Sequence, residues 1–455
     1  MNVLRHRHYL LAVLFVVVVL NSIDGVAMAV VLQDIKRDLS LTDTQLGVLT
    51  GFAFALLFSI MGIAIARWAD CGDRVAIVSL TAIVWSVFVA ACGTATNFMK
   101  LLLLRVGVGI GEAGCFPASQ SLIADYFDRA ERPQANAVYV MATGVSALVG
   151  YGLAGWLNEI YGWRVMFMML GLPGIAVAAV AWLTLREPRF ERSGGDGVGR
   201  FALARRSLLK TVTSTSASPR LAEIGVALWS NTTLRQVLLF WSVQAFFTTG
   251  LWQWQPAFFV RSHGLGTGEL GTCFAVAYGL GGVLGPFLGG AWAARYAANN
   301  ERLQLRVAGL SYSALMVISA FVYLVPNHYL AFGLLGLQVL IASAFFGPVL
   351  SVLQLLVPES MRAAAMAILA LLGSLIGSGL GSLATGALSD ALLARFGEES
   401  LRYALLTLCP GFLWAGWHLW QASKCVARDL SAMDHERDGF GEEMQAAPAS
   451  PEVIF

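Results

Sequence analysis

The segment YLLAVLFVVVVLNSIDGVAMAVVLQDI, residues 9–35, decides which class of fold the chain adopts. Its apolar part is long enough for a helix that crosses the hydrocarbon core of a bilayer, which takes about 20 residues. One carboxylate, Asp24, lies deep within it. Because a charge is costly to remove from water, an intramembrane carboxylate usually faces protein or a water-filled cavity. The segment therefore predicts a membrane helix that carries a functional side chain.

The composition of the whole chain extends this prediction. Of its 455 residues, 57% are hydrophobic and 13% are charged, whereas soluble domains contain roughly 25% charged residues. The net charge of +2 gives no reason to expect a nucleic-acid partner. The six cysteines contain no CxxC pair and the six histidines are dispersed, so we expect neither a metal nor a cofactor. The chain is predicted to be a polytopic membrane protein.

Breaks at charges, prolines and glycine clusters divide the chain into twelve candidate membrane helices. The predicted spans are 9–33, 46–66, 76–97, 101–126, 135–157, 163–185, 235–259, 269–293, 305–325, 329–356, 363–392 and 402–421. The basic start RHRH, the apolar run and AMA at 27–29 also match a signal peptide with its cleavage site. We favour a membrane helix, because the apolar run continues past AMA to Leu32.

Lysine and arginine set the predicted orientation. With the N-terminus inside, the inner segments hold 22 of these residues and the outer segments 7, while Arg105 lies within a helix. Both termini are therefore predicted to be cytoplasmic, in a cell membrane. The polar stretch 186–234 separates the first six helices from the last six. The predicted domains are an N-terminal bundle (1–185), a cytoplasmic linker (186–234), a C-terminal bundle (235–425) and a disordered cytoplasmic tail (426–455).

The two sets of six helices share short sequence features in the same order. The features are Leu-Gly followed by Trp-Ala (46–47 and 68–69; 270–271 and 292–293), Arg-x-x-Ala-x-Ala (132–137; 362–367), and GWLNE (155–159) against GALSD (386–390). This order predicts parallel repeats of six helices. Such repeats occur in transporters that rock one half of the molecule against the other.

Two helix-end motifs identify a family that the sequence resembles over its whole length. ARWADCGDR (66–74) resembles the signature G-x-L-a-D-r-x-G-r of the major facilitator superfamily, and RVGVGIGEAG (105–114) resembles the Arg-x-x-x-Gly pattern of its fourth helix. NSIDG, GIGEAG, PASQSLIADYF, YGWRVMF (161–167) and WQPAFFVRSHG (254–264) are similar to the Spinster-like branch. The resemblance implies an all-α polytopic membrane protein with twelve transmembrane helices in two pseudo-symmetric six-helix bundles.

The sequence departs from the family pattern in four places. Spinster-type first helices usually carry Asp-Arg where this chain has Asp24-Gly25. The signature loop has Cys71 where a basic residue is common and Asp73 where a Gly or Asn usually closes it. In the second half, Ala294 stands in place of the acidic residue of the equivalent loop. The resemblance therefore does not imply a gate in the loop that contains Ala294. It also does not imply a switch that uses an arginine at position 25.

Three ionisable side chains are predicted to lie within the membrane. By the helical rise, Asp24 lies roughly 22 Å from the cytoplasmic entry of its helix and Arg105 about 6 Å below the outer surface. The two are at similar depth, and the resemblance implies that helices one and four are neighbours, so an Asp24–Arg105 pair is feasible. Such a pair would either serve function or simply join two helices. Glu112 shares the helix face of Arg105 but lies roughly 10 Å deeper. Intramembrane carboxylates often relay protons, so Glu112 and Asp24 are predicted to couple transport to protons.

The remaining predicted sites follow from the resemblance. It implies a central cavity lined by helices one, four, seven and ten, where a substrate would meet Arg105, Asn21, Trp252, Gln255, Gln338 and Phe345. The aromatic members of this set are equally compatible with packing or with contact to lipid. The resemblance also implies that Asp70 and Arg74 gate the conformational change, although solvated loop charges without a role remain an alternative.

These features predict a secondary active transporter rather than an enzyme. The expected substrate is a small amphipathic organic molecule, lipid-like or an aromatic organic anion, moved by alternating access with protons and surrounded by membrane lipid. We expect a monomer. The alternatives are a membrane-embedded lipid-modifying enzyme, for which no paired catalytic or metal-ligand cluster is visible, and a non-transporting receptor or scaffold.

The predicted topology can be tested by cysteine labelling. Single cysteines placed within 186–234 or after Lys424, in a chain without its native cysteines, should react with an impermeant maleimide only from the cytoplasmic side. Labelling of either position from outside would contradict the count of twelve helices.

Overall fold

The computed structural model describes residues 3–128, 131–188, 228–298, 300–357 and 361–446, and a few helical side chains, among them that of Asp70, are not described. Within these ranges the chain forms helices and no strand. In the bilayer core every backbone N–H and C=O group must find its partner inside the protein, which an α-helix achieves within one segment. The predicted all-α class is confirmed.

Across the described ranges twelve helices, α1–α12, follow one another along the chain. The first half contains α1 (Val3–Leu39), α2 (Asp43–Gly47, the π-helical Val48–Phe52, and Ala53–Cys71), α3 (Arg74–Cys92), α4 (Phe98–Glu112, then Cys115–Tyr126), and α5 and α6, the two parts of Arg132–Thr184 on either side of Gly162. The second half contains α7 (Thr232–His263), α8 (Thr267–Tyr296), α9 (Glu301–Leu324), α10 (His328–Ala344, then Phe346–Leu356), α11 (Arg362–Leu372, the π-helical Gly373–Gly381, and Ser382–Phe396) and α12 (Ser400–Leu408, then Pro410–Ala446).

The described residues contain nine helices that are long and apolar enough to cross a membrane. Two of the nine, 134–184 and 368–431, each contain two predicted spans. They turn at Gly162 and Gly397, whose φ angles of 78° and 57° favour glycine. α7 has 32 residues but is not among the nine. With α7, and with the two long helices divided, the helices agree with the predicted twelve.

Two helices extend well beyond their predicted ends. α1 ends at Leu39 rather than at residue 33, and α12 continues to Ala446. The sequence predicts disorder from residue 426, but the structure continues as helix to Ala446, and residues 447–455 lie outside the described ranges. Glu, Met, Gln and Ala are good helix formers, so a helix that leaves the membrane can continue in water. Most of the predicted linker, 189–227, also lies outside the described residues.

The two halves meet where glycines allow helix backbones to touch. A Cβ atom on Gly155 of α5 would lie 2.3 Å from the carbonyl oxygen of Thr267 in α8. In the same way, a Cβ on Gly386 of α11 would lie 2.2 Å from the carbonyl oxygen of Asp43 in α2. Gly155 and Gly386 occupy equivalent positions in the sequence repeat. The sequence repeat therefore corresponds to two related contact surfaces, α5–α8 and α2–α11. Each surface depends on small residues for close helix packing.

These contacts define one end of the bundle, which we call the Asp43 end. The opposite end, where α2 passes into α3, we call the Arg74 end. Near the Asp43 end the halves are joined by hydrogen bonds such as Trp156 Nε1 to Thr272 Oγ1, 3.2 Å, and deeper in the bundle by Thr50 Oγ1 and Ser382 Oγ, 2.7 Å apart. The bundle is thus closed from the Asp43 end down to the level of Thr50.

The close α5–α8 contact predicts a sharp difference between two neighbouring glycines. Gly155→Ala should lower the stability of the protein by about 1–3 kcal/mol, because the added methyl group forces two backbones apart. Gly152→Ala is the matched control, since a Cβ there would meet nothing within 4 Å. Thermal unfolding of both variants in one detergent measures the difference. Equal melting temperatures would contradict backbone contact at Gly155.

Candidate functional site

A buried ion pair joins α1 to α4. Arg105 Nη1 donates a hydrogen bond to Asp24 Oδ2 at 2.5 Å, and the two side chains are 3% and 2% exposed. The pair that the sequence left open is therefore present in the structure. Each charge satisfies part of the other's lost hydration, which is the condition under which ions persist in a membrane interior.

Two residues that the sequence did not single out surround Arg105. The guanidinium carbon lies 5.6 Å from the centre of the Phe54 ring of α2, a cation–π distance. Gly109, one turn along α4, packs closely against Phe54. A Cβ atom at Gly109 would lie only 3.2 Å from that ring. Cys92 of α3 is fully buried and close enough to both Asp24 and Arg105 to interact electrostatically. No pattern in the sequence links α2 and α3 to these charges; only their packing does.

Polar atoms without partners lie beside the pair. Asp24 Oδ1, Arg105 Nε, Asn21 Nδ2 and Glu112 Oε1 are buried and have no hydrogen-bond partner within the described residues. A Cβ on the neighbouring Gly25 would meet nothing within 4 Å, so α1 is not packed against protein on that face. Buried donors and acceptors without a protein partner can bind water, a proton or a polar ligand.

Glu112 differs from its predicted setting in one respect. The sequence indicates no charged partner at its depth, but in the structure Glu112 lies near enough to both Asp24 and Arg105 to feel their charges. Its side chain is half-buried. Glu112, Asp24 and Arg105 therefore form one electrostatic cluster, in which the charge on any member affects the other two.

The predicted residues of the second half lie in different settings. Gln255 is 1% exposed, and its amide is occupied: Tyr278 Oη donates to Oε1 at 2.5 Å, and Nε2 donates to Tyr323 Oη at 3.0 Å. Gln338 is 7% exposed and its Oε1 has no partner among the described residues. Trp252 is half-buried, and Phe345 packs edge-on to the ring of Trp292. In this conformation the amide of Gln255 is hydrogen-bonded to two tyrosines, so it is not free to bind a substrate.

The predicted gate residue Arg74 is fully buried at its end of the bundle. It forms ion pairs with Glu187 and, at 2.7 Å, with Asp125, and Nη1 donates to the carbonyl oxygen of Ser121 at 2.9 Å. All these partners belong to the first half. Arg74 therefore joins α3, α4 and the segment after α6, while the side chain of Asp70 lies outside the described set.

A second charged cluster, not predicted from the sequence, joins the halves at the Asp43 end. Asp43 is 1% exposed and receives two hydrogen bonds from Arg261, at 2.5 and 2.7 Å. Lys36 Nζ and Ser389 Oγ complete its shell at 2.6 and 2.7 Å. Arg261 also donates to Gln33 of α1. The only advance signal is the occurrence of a Lys, an Asp and an Arg at predicted helix ends.

A groove of about 400 Å³ between α8 and α10 does not belong to this site. Its lining is almost wholly apolar and includes Val276, Leu280 and Leu340. The helix face that carries Val276 and Leu280 is exposed on the outside of the bundle, as expected of a surface that meets lipid tails. Among the described residues no group of three or more His, Cys, Asp and Glu side chains is placed to hold a metal ion.

The fold and the site together define a class of protein. Two six-helix bundles meet along glycine-rich surfaces and are joined by an ion cluster at one end, and the first bundle holds buried charges and polar atoms without partners among the described residues. This is the architecture of a transporter that moves small molecules between bundles.

The comparisons with known proteins identify the family. Residues 14–382 match the model of the Major Facilitator Superfamily. The chain is also 30% identical over 419 residues, 92% of its length, to an MFS-type efflux pump of Mycolicibacterium smegmatis, of which the match covers 93%. The protein belongs to the Major Facilitator Superfamily, as the sequence predicts, and is a transporter rather than an enzyme.

Solved structures place it within the superfamily. A crystal structure of a bacterial homologue of the human lysosomal transporter Spinster, inward-facing and unoccupied, is 28% identical, with a TM-score of 0.76, over 93% of this chain and 98% of the homologue. Its inward-facing and occupied form gives a TM-score of 0.75. The predicted Spinster-like branch is confirmed. A shorter match, 30% identical over 39% of the chain, is to a probable L-galactonate transporter of Escherichia coli, of which it covers 38%.

The ion pair predicts coupled effects on stability. Asp24→Asn and Arg105→Gln should each destabilise the protein by about 3–5 kcal/mol, because each leaves one buried charge without its partner. The double variant should lose less than the sum of the two losses, since neither charge remains. Thermal unfolding of the four proteins gives the coupling energy. Strict additivity would mean that the pair does not interact.

Proposed function

We propose that the protein is a proton-coupled secondary transporter that moves an amphipathic organic anion by alternating access. The observation that carries the proposal is the buried Asp24–Arg105 pair of the first half together with Glu112, which lies near enough for its charge to interact with both. Charges are retained in a membrane interior at considerable cost, so three charges that interact indicate a task beyond packing.

Glu112 is the proposed proton carrier. Its Oε1 is buried and has no hydrogen-bond partner among the described residues, so this oxygen is available to receive a proton. Asp24, by contrast, is bound directly to Arg105. Because the three charges interact, a proton taken up by Glu112 changes how strongly Arg105 is held by Asp24. A proton and an anion can be coupled through this shared electrostatic balance.

Arg105 is the proposed contact for the anionic group of the substrate. One of its guanidinium nitrogens is occupied by Asp24, while Nε is buried and has no partner among the described residues. Asn21, on the same helix face as Asp24, offers an unpartnered amide nitrogen beside it. The ring of Phe54, 5.6 Å from the guanidinium carbon of Arg105, and the ring of Phe58, which stacks on Phe54, would contact the apolar part, and Trp252 of α7 is the proposed contact in the other half. They favour a molecule that has both an acidic and an apolar end.

The relatives support an organic anion in part. The similar proteins include a probable L-galactonate transporter and, from Bacillus subtilis, a probable galactarate/D-glucarate transporter. These matches cover only about two fifths of the chain, at 39% and 40%. We propose a carboxylate-bearing substrate on this basis. The rings of Phe54 and Phe58 beside Arg105 favour a molecule that is less hydrophilic than a sugar acid. The protein would act as a monomer in the cell membrane, with lipid around it and both termini cytoplasmic.

Substituting the two carboxylates should separate their roles. Glu112→Gln, which resembles the permanently protonated form, should abolish accumulation driven by a proton gradient yet retain substrate exchange at equal pH, which needs no net proton movement. Asp24→Asn leaves Arg105 unpaired and should impair both. The measurement compares the two assays in proteoliposomes for wild type and both variants. Normal gradient-driven accumulation by Glu112→Gln would exclude Glu112 as the carrier and pass that role to Asp24.

A further inference from the structure

Two carboxylates at the Asp43 end bind the first turn of a helix that belongs to the opposite half. Asp390 of α11 accepts hydrogen bonds from the backbone nitrogens of Asp43 and Thr44 in α2, at 3.0 and 2.7 Å, and from the Thr44 hydroxyl at 2.7 Å. Glu159 of α5 accepts one from the backbone nitrogen of Gly268 in α8, at 2.5 Å. The first N–H groups of a helix have no partner within that helix, and its positive end attracts an anion.

The two contacts are copies of one another under the sequence repeat. Glu159 and Asp390 are the last residues of GWLNE and GALSD, and Gly268 and Thr44 both lie two residues before the repeated Leu-Gly. The residues that precede the carboxylates repeat the pattern: Asn158 Nδ2 donates to Thr267 Oγ1 at 3.1 Å, and Ser389 Oγ donates to Asp43 Oδ2 at 2.7 Å. One contact thus joins α5 to α8, the other joins α11 to α2, and both join the halves.

We propose that Glu159 and Asp390 are a pair of positioning residues, the end clasps, that hold the two halves together at the Asp43 end and release as one unit. Each of the hydrogen bonds described for the end clasps runs between halves, so separation of the bundles at this end must break all of them. A rigid rotation that tilts one bundle away from the other at this end separates α5 from α8 and α2 from α11 together. The inference rests on the rocking motion of the proposed function but not on its substrate or its protons.

The two clasps differ in strength. Asp390 is half-buried and accepts three hydrogen bonds, next to the ion cluster of Asp43, Lys36 and Arg261. Glu159 is exposed and accepts one hydrogen bond, and the residue equivalent to Asp43 is the uncharged Thr267. Charge interactions weaken with exposure to solvent. Loss of the Asp390 carboxylate should therefore favour opening more than loss of the Glu159 carboxylate.

The chain contains a matched control for a carboxylate that binds a helix start. Asp429 of α12 accepts hydrogen bonds from the backbone nitrogen of Thr233, at 3.0 Å, and from its hydroxyl, at 2.7 Å. The groups and distances resemble those of Asp390 with Thr44. Both Asp429 and Thr233 lie in the second half, however, so rocking of the halves leaves this contact intact.

Hydrogen–deuterium exchange of the full-length protein in lipid nanodiscs tests the proposal without a transport assay. Exchange is followed in peptides that cover 42–47 and 267–271, for wild type, Glu159→Gln, Asp390→Asn and Asp429→Asn. Asp390→Asn should accelerate exchange roughly tenfold, and Glu159→Gln roughly threefold, as expected for carboxylate–helix interactions. Each of these two variants should accelerate exchange at both clasps, because opening of the whole end exposes both. Asp429→Asn should change exchange near Thr233 and leave both clasps at the wild-type rate.

Acceleration confined to the clasp that carries the substitution would overturn the proposal, because it would mean a local loss of a helix cap. Acceleration at both clasps by Asp429→Asn would overturn it as well, since general destabilisation would then explain the result. If one variant does not give a monodisperse protein, the other still decides, and Glu159→Asp tests the same position with its charge kept. A proton-independent transporter would still show linked clasps, so failure of the proposed coupling and failure of the clasps are distinguishable.

Discussion

The Asp24–Arg105 ion pair, 2.5 Å between Oδ2 and Nη1, lies where neither charge could remain alone. A membrane interior offers no water to a charged group, so each member of the pair depends on the other. That requirement holds α1 against α4, and the ring of Phe54 from α2 lies at a cation–π distance from Arg105. Three of the six helices of the first half therefore contribute to one electrostatic cluster.

The same absence of water explains how the halves associate. In lipid there is little hydrophobic drive between helices, so association depends on close packing and on polar contacts. Glycines bring backbones together at α5–α8 and α2–α11, and carboxylates bind the exposed helix starts at one end. Such contacts are weak enough individually to be broken and remade. A transporter that alternates between two conformations requires an interface of this kind.

Two of the charged clusters lie in separate places with different demands. The cluster of Asp24, Arg105 and Glu112 lies inside one half, where unpartnered atoms leave it open to a ligand or a proton. The cluster of Asp43, Arg261 and Lys36 lies between the halves, and Asp43 is held there by close hydrogen bonds from both basic side chains. The first arrangement suits binding and release. The second suits a joint that is either made or broken.

The sequence by itself determined the membrane class, the helix pattern, the repeat and the three charges within the apolar helices, Asp24, Arg105 and Glu112. These follow from local rules: a helix must span the hydrocarbon, and a charge such as Asp24 within an apolar run must have a reason. Helical spacing was also enough to place Asp24 and Arg105 at one depth. That they can pair followed only once the family resemblance made helices one and four neighbours, and the sequence left open whether they do.

Only the tertiary structure decided which side chains meet across helices. It gave Gln255 two tyrosine partners, placed Glu112 within range of Arg105, and brought Asp390 to the start of α2, 346 residues away along the chain. A sequence shows the depth of a residue along its own helix, because the rise per residue is constant. It does not show the rotation of that helix against its neighbours, which is set by packing between distant segments. The contacts that join the two halves depend on that rotation.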